Sequence, residues 1–277
     1  MQPEADHEPI LPFGRRPEVI DAIVATIAAV PGAHVLDVQS DASHHRTVVT
    51  FVGAPEAVLE AAFQGCRHAA EVIDLTVHTG EHPRMGATDV IPFIPVRGVT
   101  MDDCVHLARQ LGSRIGQELA IPVYLYEQAA TRPERQNLAD VRKGEFERIR
   151  ELIGVDPAHE PDFGPRAMGK AGATAVGARA FLIAFNVYLN ADNVEIAKKI
   201  AKTVRHSSGG LRYVKALGLL VNGQAQVSMN LTDFRQTPIH LVVEMIRREA
   251  TRYGVMISHT ELVGMAPQQA LLDVVAW

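Results

Sequence analysis

The sequence has little cysteine, little surplus charge and no long apolar run. Its cysteines number two, Cys66 and Cys104, and they form no Cys-x-x-Cys pair, which excludes a disulfide scaffold and a thiolate metal knuckle. Each lies among apolar neighbours in a stretch of helical spacing, the setting of a buried, reduced thiol in a cytosolic protein. The formal net charge is -5, so there is no generally basic surface to neutralise phosphates along a duplex, and no nucleic acid partner is expected. No apolar stretch approaches the ~20 residues that a membrane helix needs. The N-terminus lacks the basic, apolar and small-residue pattern of a signal peptide. No membrane partner and a cytoplasmic location are the resulting expectations.

What is present is the material of a globular protein, 47% hydrophobic and 21% charged over 277 residues, long enough for one large or two medium domains. Pro17 opens "PEVIDAIVATIAAV", where Val19, Ile20, Ile23, Val24 and Ile27 recur at helical spacing until Pro31 and Gly32. The runs "AHVLDV" and "RTVVTFVG" read as strands around the polar turn "QSDASHH". A second amphipathic helix covers "APEAVLEAAFQGCRHAAEVI", and "DLTVH" reads as a short strand after it. With a first strand supplied around Pro9 to Phe13, the order is β-α-β-β-α-β.

An insertion follows, with helix "DDCVHLARQLGSRIGQELA", strand "IPVYLY" and a charged helix over "KGEFERIRELIG". It closes on "PDFGPRAMGKAGATAVGARA", whose Gly and Pro read as loop. From Ala180 the order restarts. Strand "FLIAFNVYL", helix "NVEIAKKIAKTVRH", hairpin strands "VKALGLLV" and "QAQVSMNLT" about Asn222 and Gly223, helix "PIHLVVEMIRREATRYG" and strand "MISHTELVG" precede a tail helix "PQQALLDVVAW". The expected class is α+β, a tandem repeat of two ferredoxin-like βαββαβ subdomains with a cleft between them. Residues 1–178 form the first and 179–277 the second, and the cleft is the default ligand site.

The stretch "VHTGEHPRMGATDVIPFIPVRG", from Val77 to Gly98, concentrates ionisable side chains in a backbone too rich in Pro and Gly for a helix. His78 and His82 flank Glu81, but the zinc pattern HExxH needs both imidazoles on one helix face. Gly80 and Pro83 prevent that, and no metal is expected. His82 reads either as a turn histidine bonded to nearby backbone or as an acid/base imidazole that takes up and returns a proton near neutral pH. Arg46, Arg84 and Arg97 sit at strand ends or in this loop, where a guanidinium either faces solvent or suits a carboxylate ligand. The stretch "FGPRAMGKAGATAVG" is too loose for a phosphate loop, lacking the GxxxxGK(S/T) order, and too far from a GxGxxG for a dinucleotide turn. Its glycines still let backbone approach a flat ligand.

Taken together, "TVVTFVGAPEAV", "HTGEHPRMGATDVIPFIPVRGVTMDDCV", "PVYLYEQAA", "PDFGP", "GATAVGARAFLIAFNVYL" and "AQVSMNLTDF" resemble the glutamate formimidoyltransferases, the formiminotransferases of histidine breakdown, from about Pro17 onward. The resemblance implies a cytoplasmic, dimeric transferase of one-carbon groups. It would move the formimino group of N-formimino-L-glutamate to N5 of tetrahydrofolate, its co-substrate, and release L-glutamate. It implies His82 as the catalytic acid/base. It also implies a folate-binding loop of Gly164, Pro165, Arg166, Ala167, Met168, Gly169, Lys170, Ala171 and Gly172. Substrate carboxylates would be held by Arg46, Arg84 or Lys215. With the chain ending at Trp277, a stand-alone transferase without the cyclodeaminase half of the bifunctional animal enzyme is expected. The sequence departs from the family at Gln39, where the pattern is acidic, and at His45, where it is an amide; Asp41 lies two residues from the lost carboxylate. Formyl transfer between N-formyl-L-glutamate and tetrahydrofolate stays open as another reading, as does a folate-binding protein that has lost catalysis.

Overall fold

Local signals set the elements, and non-local pairing sets their order. The computed structural model describes residues 4–7, 10–11, 16–41, 45–77 and 84–277, which divide into two units, Met1–Arg179 and Ala180–Trp277. The first unit begins with β1 (Glu4–His7), β2 (Ile10–Leu11) and α1 (Pro17–Ala28). There follow β3 (Ala33–Asp41), β4 (Arg46–Gly53), α2 (Pro55–Val72) and β5 (Val90–Arg97). Proline in the first turn of α1 and α2 fits the helix start, where its missing N–H costs nothing. The unit then adds α3 (Met101–Glu118), β6 (Val123–Glu127), α4 (Leu138–Val141), α5 (Glu145–Leu152) and β7 (Thr174–Ala178).

The seven strands form one sheet. The segments β1 and β2 each pair antiparallel with both β4 and β5, and β3 extends the sheet beyond β4. On the other side β7 lies parallel between β5 and β6. Ile23, Ile27, Phe51, Phe63, Phe93, Leu111 and Val176 make the core under α1, α2 and α3. On the opposite face Ile149 and Ile153 pack with Met85, Val90, Tyr124, Tyr126 and Ala175. The β5–β7–β6 part of the sheet is thus covered on both sides.

Three readings of the sequence change. The first strand starts earlier than expected: Ile10–Leu11 falls within the stretch Pro9 to Phe13, and Glu4–His7 precedes it. In "DLTVH" the described residues make a turn, because the Asp74 carboxylate accepts the Thr76 N–H at 2.9 Å and so competes with a ladder; His78 lies outside the described residues. The strand that closes the unit is β5, where Pro95 falls past the last pair with β7, Phe93↔Ala178. The stretch read as loop before Ala180 contains β7, all of whose residues are buried. Burial on both faces removes the alternation by which a strand is recognised. Gly177 in β7 makes room for an aromatic ring, since a Cβ there would lie 2.5 Å from Tyr126.

The second unit runs β8 (Ile183–Leu189), α6 (Val194–Val204), β9 (Val214–Val221), β10 (Gln224–Leu231), α7 (Ile239–Arg252), β11 (Ile257–Val263) and α8 (Gln268–Ala276). Its sheet is antiparallel in the order β11-β8-β10-β9. The turn between β9 and β10 is Asn222–Gly223 with φ of 50° and 76°, the positive pair that a two-residue hairpin requires. Val187, Ile200, Val204, Val227, Val242 and Ile246 form its core. Both units mix helices with sheets, and the protein is α+β.

Candidate active site

His78 to Pro83, and with them His82, lie outside the described residues. The chain from Arg84 onward is held from two sides. On one side it is cross-paired with the Gly-rich loop. Ala87 donates its N–H to the Ala171 carbonyl at 2.8 Å, Ala173 donates to the Met85 carbonyl at 2.9 Å, and Leu75 donates to the Lys170 carbonyl at 2.9 Å. Gly86 and Gly172 form the bridge at the centre. The two stretches that the sequence marks separately are therefore one piece of structure.

On the other side stand α4, α5 and the turn between them. Phe146 donates its N–H to the Arg84 carbonyl at 2.8 Å. The buried Arg84 guanidinium donates to Glu145 at 3.1 Å and to Glu147 at 2.7 Å. The Asp89 carboxylate, 1% exposed, accepts the Met85 N–H at 2.6 Å and the Arg142 guanidinium at 2.9 Å. Burial pushes the Asp89 carboxyl upward, while Arg142 and the N–H groups of Met85 and Gly86 pull it down. Arg84, expected as a carboxylate anchor, thus has its guanidinium engaged by carboxylates of its own chain.

The Gly-rich loop is fixed at both ends and open in the middle. At its start Asp162 accepts the Leu125 N–H at 2.8 Å, the Thr131 hydroxyl and, at 2.5 Å, the buried Arg135. Val123 donates to the Phe163 carbonyl at 2.9 Å. At its end Lys170 donates its ammonium to the Glu71 carbonyl at 3.1 Å. Between these anchors Arg166 is exposed and pairs with Glu160, Met168 packs partly into the core, and a Cβ on Gly169 would meet nothing within 4 Å. Gly164, Ala167 and Lys170 are exposed, Pro165 and Ala171 half-buried, and Gly172 buried. The loop leads into a strand, so its GxxxxGK order presents no helix N-terminus to an anion.

Register places the remaining candidates. Gln39 pairs with Val48, Val48 and Val90 both stand opposite Ile10, and Val90, Ala175 and Tyr124 continue the row. Direct partners share a face. Gln39 therefore lies on the sheet face that carries Val90 and α5, and Arg46 pairs in register with Asp41 two residues further along β3. His45 precedes Arg46 with φ of 53°. Lys215 is exposed on β9 opposite Asn230. It shares the face of the second sheet that carries Asn186, Tyr188 and Glu261, where Glu261 accepts from Asn186 at 3.0 Å and from Tyr188 at 3.1 Å.

The sequence reading assigned no role to Asp89, Arg142, Glu145, Glu147, Asp162 or Arg135. Asp89 and Asp162 at least stand inside the quoted motifs "GATDV" and "PDFGP"; their partners carry no local signal. Both cysteines are buried, which pushes the Cys66 thiol up to about 11 and the Cys104 thiol up to about 12. Among the described residues no group of three or more His, Cys, Asp and Glu side chains is placed to hold a metal, and no helix is long and apolar enough to cross a membrane. A groove of about 800 Å³ between α2 and α3 is lined by Glu56, Glu60, His106, Arg109 and Arg114, among others. None of the residues of the two loops lines it.

Comparison with known proteins matches the chain along most of its length. Residues 8–179 match the family described as the formiminotransferase domain, N-terminal subdomain, and residues 184–277 match the formiminotransferase domain. The chain is 50% identical over 264 residues to a glutamate formimidoyltransferase of Streptococcus pyogenes serotype M1, covering 94% of this chain and 88% of that one. It is 49% identical to a glutamate formimidoyltransferase of Thermoplasma acidophilum, covering 94% and 87%. A formimidoyltransferase-cyclodeaminase of Rattus norvegicus is 46% identical over 273 residues, covering 95% of this chain and 50% of the longer protein. Matched by both formiminotransferase domain families, and about half identical to relatives along nearly its whole length, the chain belongs to the formiminotransferase family.

Proposed function

We propose that the chain transfers the formimino group of N-formimino-L-glutamate to N5 of tetrahydrofolate, giving 5-formiminotetrahydrofolate and L-glutamate in histidine degradation. The observation that carries this reading is the match to glutamate formimidoyltransferases at about half identity over 94% of the chain, and the bridge between Gly86 and Gly172, which joins the stretch after His82 to the Gly-rich loop on one unit, agrees with it. The order of the second unit, β-α-β-β-α-β with its strands arranged β11-β8-β10-β9, supports a ferredoxin-like subdomain there. The strands β3, β4, β1 with β2, and β5 of the first unit support a related one. Free, buried thiols support residence in a reducing cytoplasm. The family resemblance supports a homodimer.

The chemistry asks the chain for positioning and one mobile proton. His82 accepts the proton that N5 sheds as it attacks the amidine carbon, and returns it to the departing glutamate nitrogen. Folate itself is the nucleophile, so neither cysteine has to be reactive, in keeping with their raised thiols. The exposed middle of the Gly-rich loop fits a flat ligand: a Cβ on Gly169 would meet nothing within 4 Å, and Arg166, exposed and paired with Glu160, could exchange that partner for a ligand carboxylate. Arg46 and Lys215 are the further candidate anchors for carboxylate, and Arg84 holds the loop.

Purified protein incubated with tetrahydrofolate and formiminoglutamate should produce 5-formiminotetrahydrofolate, read by absorbance, together with an equal amount of glutamate. Turnover of formylglutamate in place of the formimino donor, or folate binding without turnover, overturns the proposal.

A further inference from the structure

We propose that Glu147, with Glu145 and Arg142, is a positioning element for the proton-shuttling loop, acting through Arg84 and Asp89; this rests on the reading of His82 as the shuttle. Arg84 is two residues from His82 along the chain, with a proline between them. The α5 segment fixes Arg84 at its carbonyl, through the Phe146 N–H at 2.8 Å, and at its guanidinium, through both glutamates. Arg142 fixes the next turn through Asp89, whose other oxygen holds the Met85 N–H. The loop's C-terminal stem is thus gripped by main chain and by charge, and the grip comes from an element outside both loops.

The backbone that delivers this grip is itself unusual. Gly144 and Glu145 enter α5 with φ of 90° and 58°. A glutamate in the left-handed region is held there against its own preference. The strained entry sets Glu145 and Glu147 on the same guanidinium and leaves Phe146 to bond the Arg84 carbonyl. Glu147 is 62% exposed in its side chain while Arg84 is 9% exposed. Because Glu145 stays on the Arg84 guanidinium when the exposed Glu147 is lost, Glu147 contributes less to folding than a sole buried partner would, while it restricts where that arginine points. Misplacing a catalytic group by ~1 Å costs up to ~10² in rate, so a stem that is free to rotate should register in turnover before it registers in stability.

The test compares Glu147→Gln, His82→Ala and the double variant, with Arg84→Gln as a second entry to the same pair. Glu147→Gln should lower kcat about tenfold, leave KM for tetrahydrofolate and formiminoglutamate within about twofold, and leave the melting temperature within a few degrees. Glu147→Asp, which keeps the charge, should recover part of the loss. In the His82→Ala background Glu147→Gln should change residual turnover little, because it acts through that imidazole. If His82→Ala keeps wild-type turnover, the shuttle reading fails and this one with it. If His82→Ala is impaired but Glu147→Gln is not, or if Glu147→Gln costs as much without the imidazole as with it, only the positioning role is overturned. Should Arg84→Gln fail to fold, the Glu147 series still decides.

Discussion

Gly86 and Gly172 face each other across an antiparallel bridge, and neither has room for a side chain. A Cβ on Gly86 would stand 1.8 Å from the Ala173 carbonyl oxygen, and one on Gly172 would stand 2.2 Å from that of Met85, with φ already at 72°. The contact is backbone to backbone, so no rotamer change can relieve it.

Gly172→Ala should therefore destabilise the first unit by about 1–3 kcal/mol, the usual cost of overpacking, and lower activity with it. Gly169→Ala, in open space, should leave stability within about 0.5 kcal/mol. Urea unfolding of the two variants side by side checks this. Equal stabilities would mean that the bridge does not hold the loops together.

His82→Ala should reduce kcat by about 10²–10⁴, the range for general acid/base catalysis, with tetrahydrofolate affinity changed only a few fold. His78→Ala should do much less. Single-turnover kinetics with equilibrium folate binding separate the two effects, and near wild-type turnover by a folded His82→Ala protein would move the role to Asp41 or His45.

Asp162→Ala should cost about 3–5 kcal/mol, because it strips a buried arginine of its partner. Arg135 and Asp162 are 4% and 8% exposed in their side chains, and the same carboxylate anchors the start of the Gly-rich loop. Thermal unfolding gives the stability loss, and a weaker folate affinity at temperatures where the variant stays folded would show that the anchor also shapes the loop.

The thiols should resist modification. With Cys66 pushed up to about 11 by burial, the native protein should react with iodoacetamide at pH 8 only as fast as it unfolds. In the unfolded chain a thiol ionises near ~8.5, so the unfolded state loses its proton first. The stabilisation is complete below that pH and declines as pH rises toward the native value. Denaturant midpoints measured from pH 8 to 10.5 should fall, and Cys66→Ala should fall less steeply over the same range.

Amphipathic spacing is a local property, and the helices α1, α2, α3, α6 and α7 stand where Val19, Ile23, Val58, Leu111, Ile200 and Val242 recur on one face. The Asn222–Gly223 hairpin was legible for the same reason, since its positive φ angles are written in two adjacent residues. Family membership was legible because the motifs around His82 and Asp162 are long and contiguous. Strands at the centre of the first sheet were not. Prolines disguised β5, and burial on both faces disguised β7, whose register is chosen by Tyr126, Val90 and the helices packed above and below.

By itself, then, the sequence determined the longer helices, the mixed helix-and-sheet class, the family and the two candidate loops. Only the tertiary structure decided that Gly86 meets Gly172, that Gln39 and Val90 lie in one row, and that Arg84 answers to Glu145 and Glu147 rather than to solvent. The physical reason is that each of these contacts joins segments far apart in the chain. A charged helix such as α5 reads as a solvated face until the second side of the sheet requires a cover, and only then do its carboxylates find a buried arginine to hold.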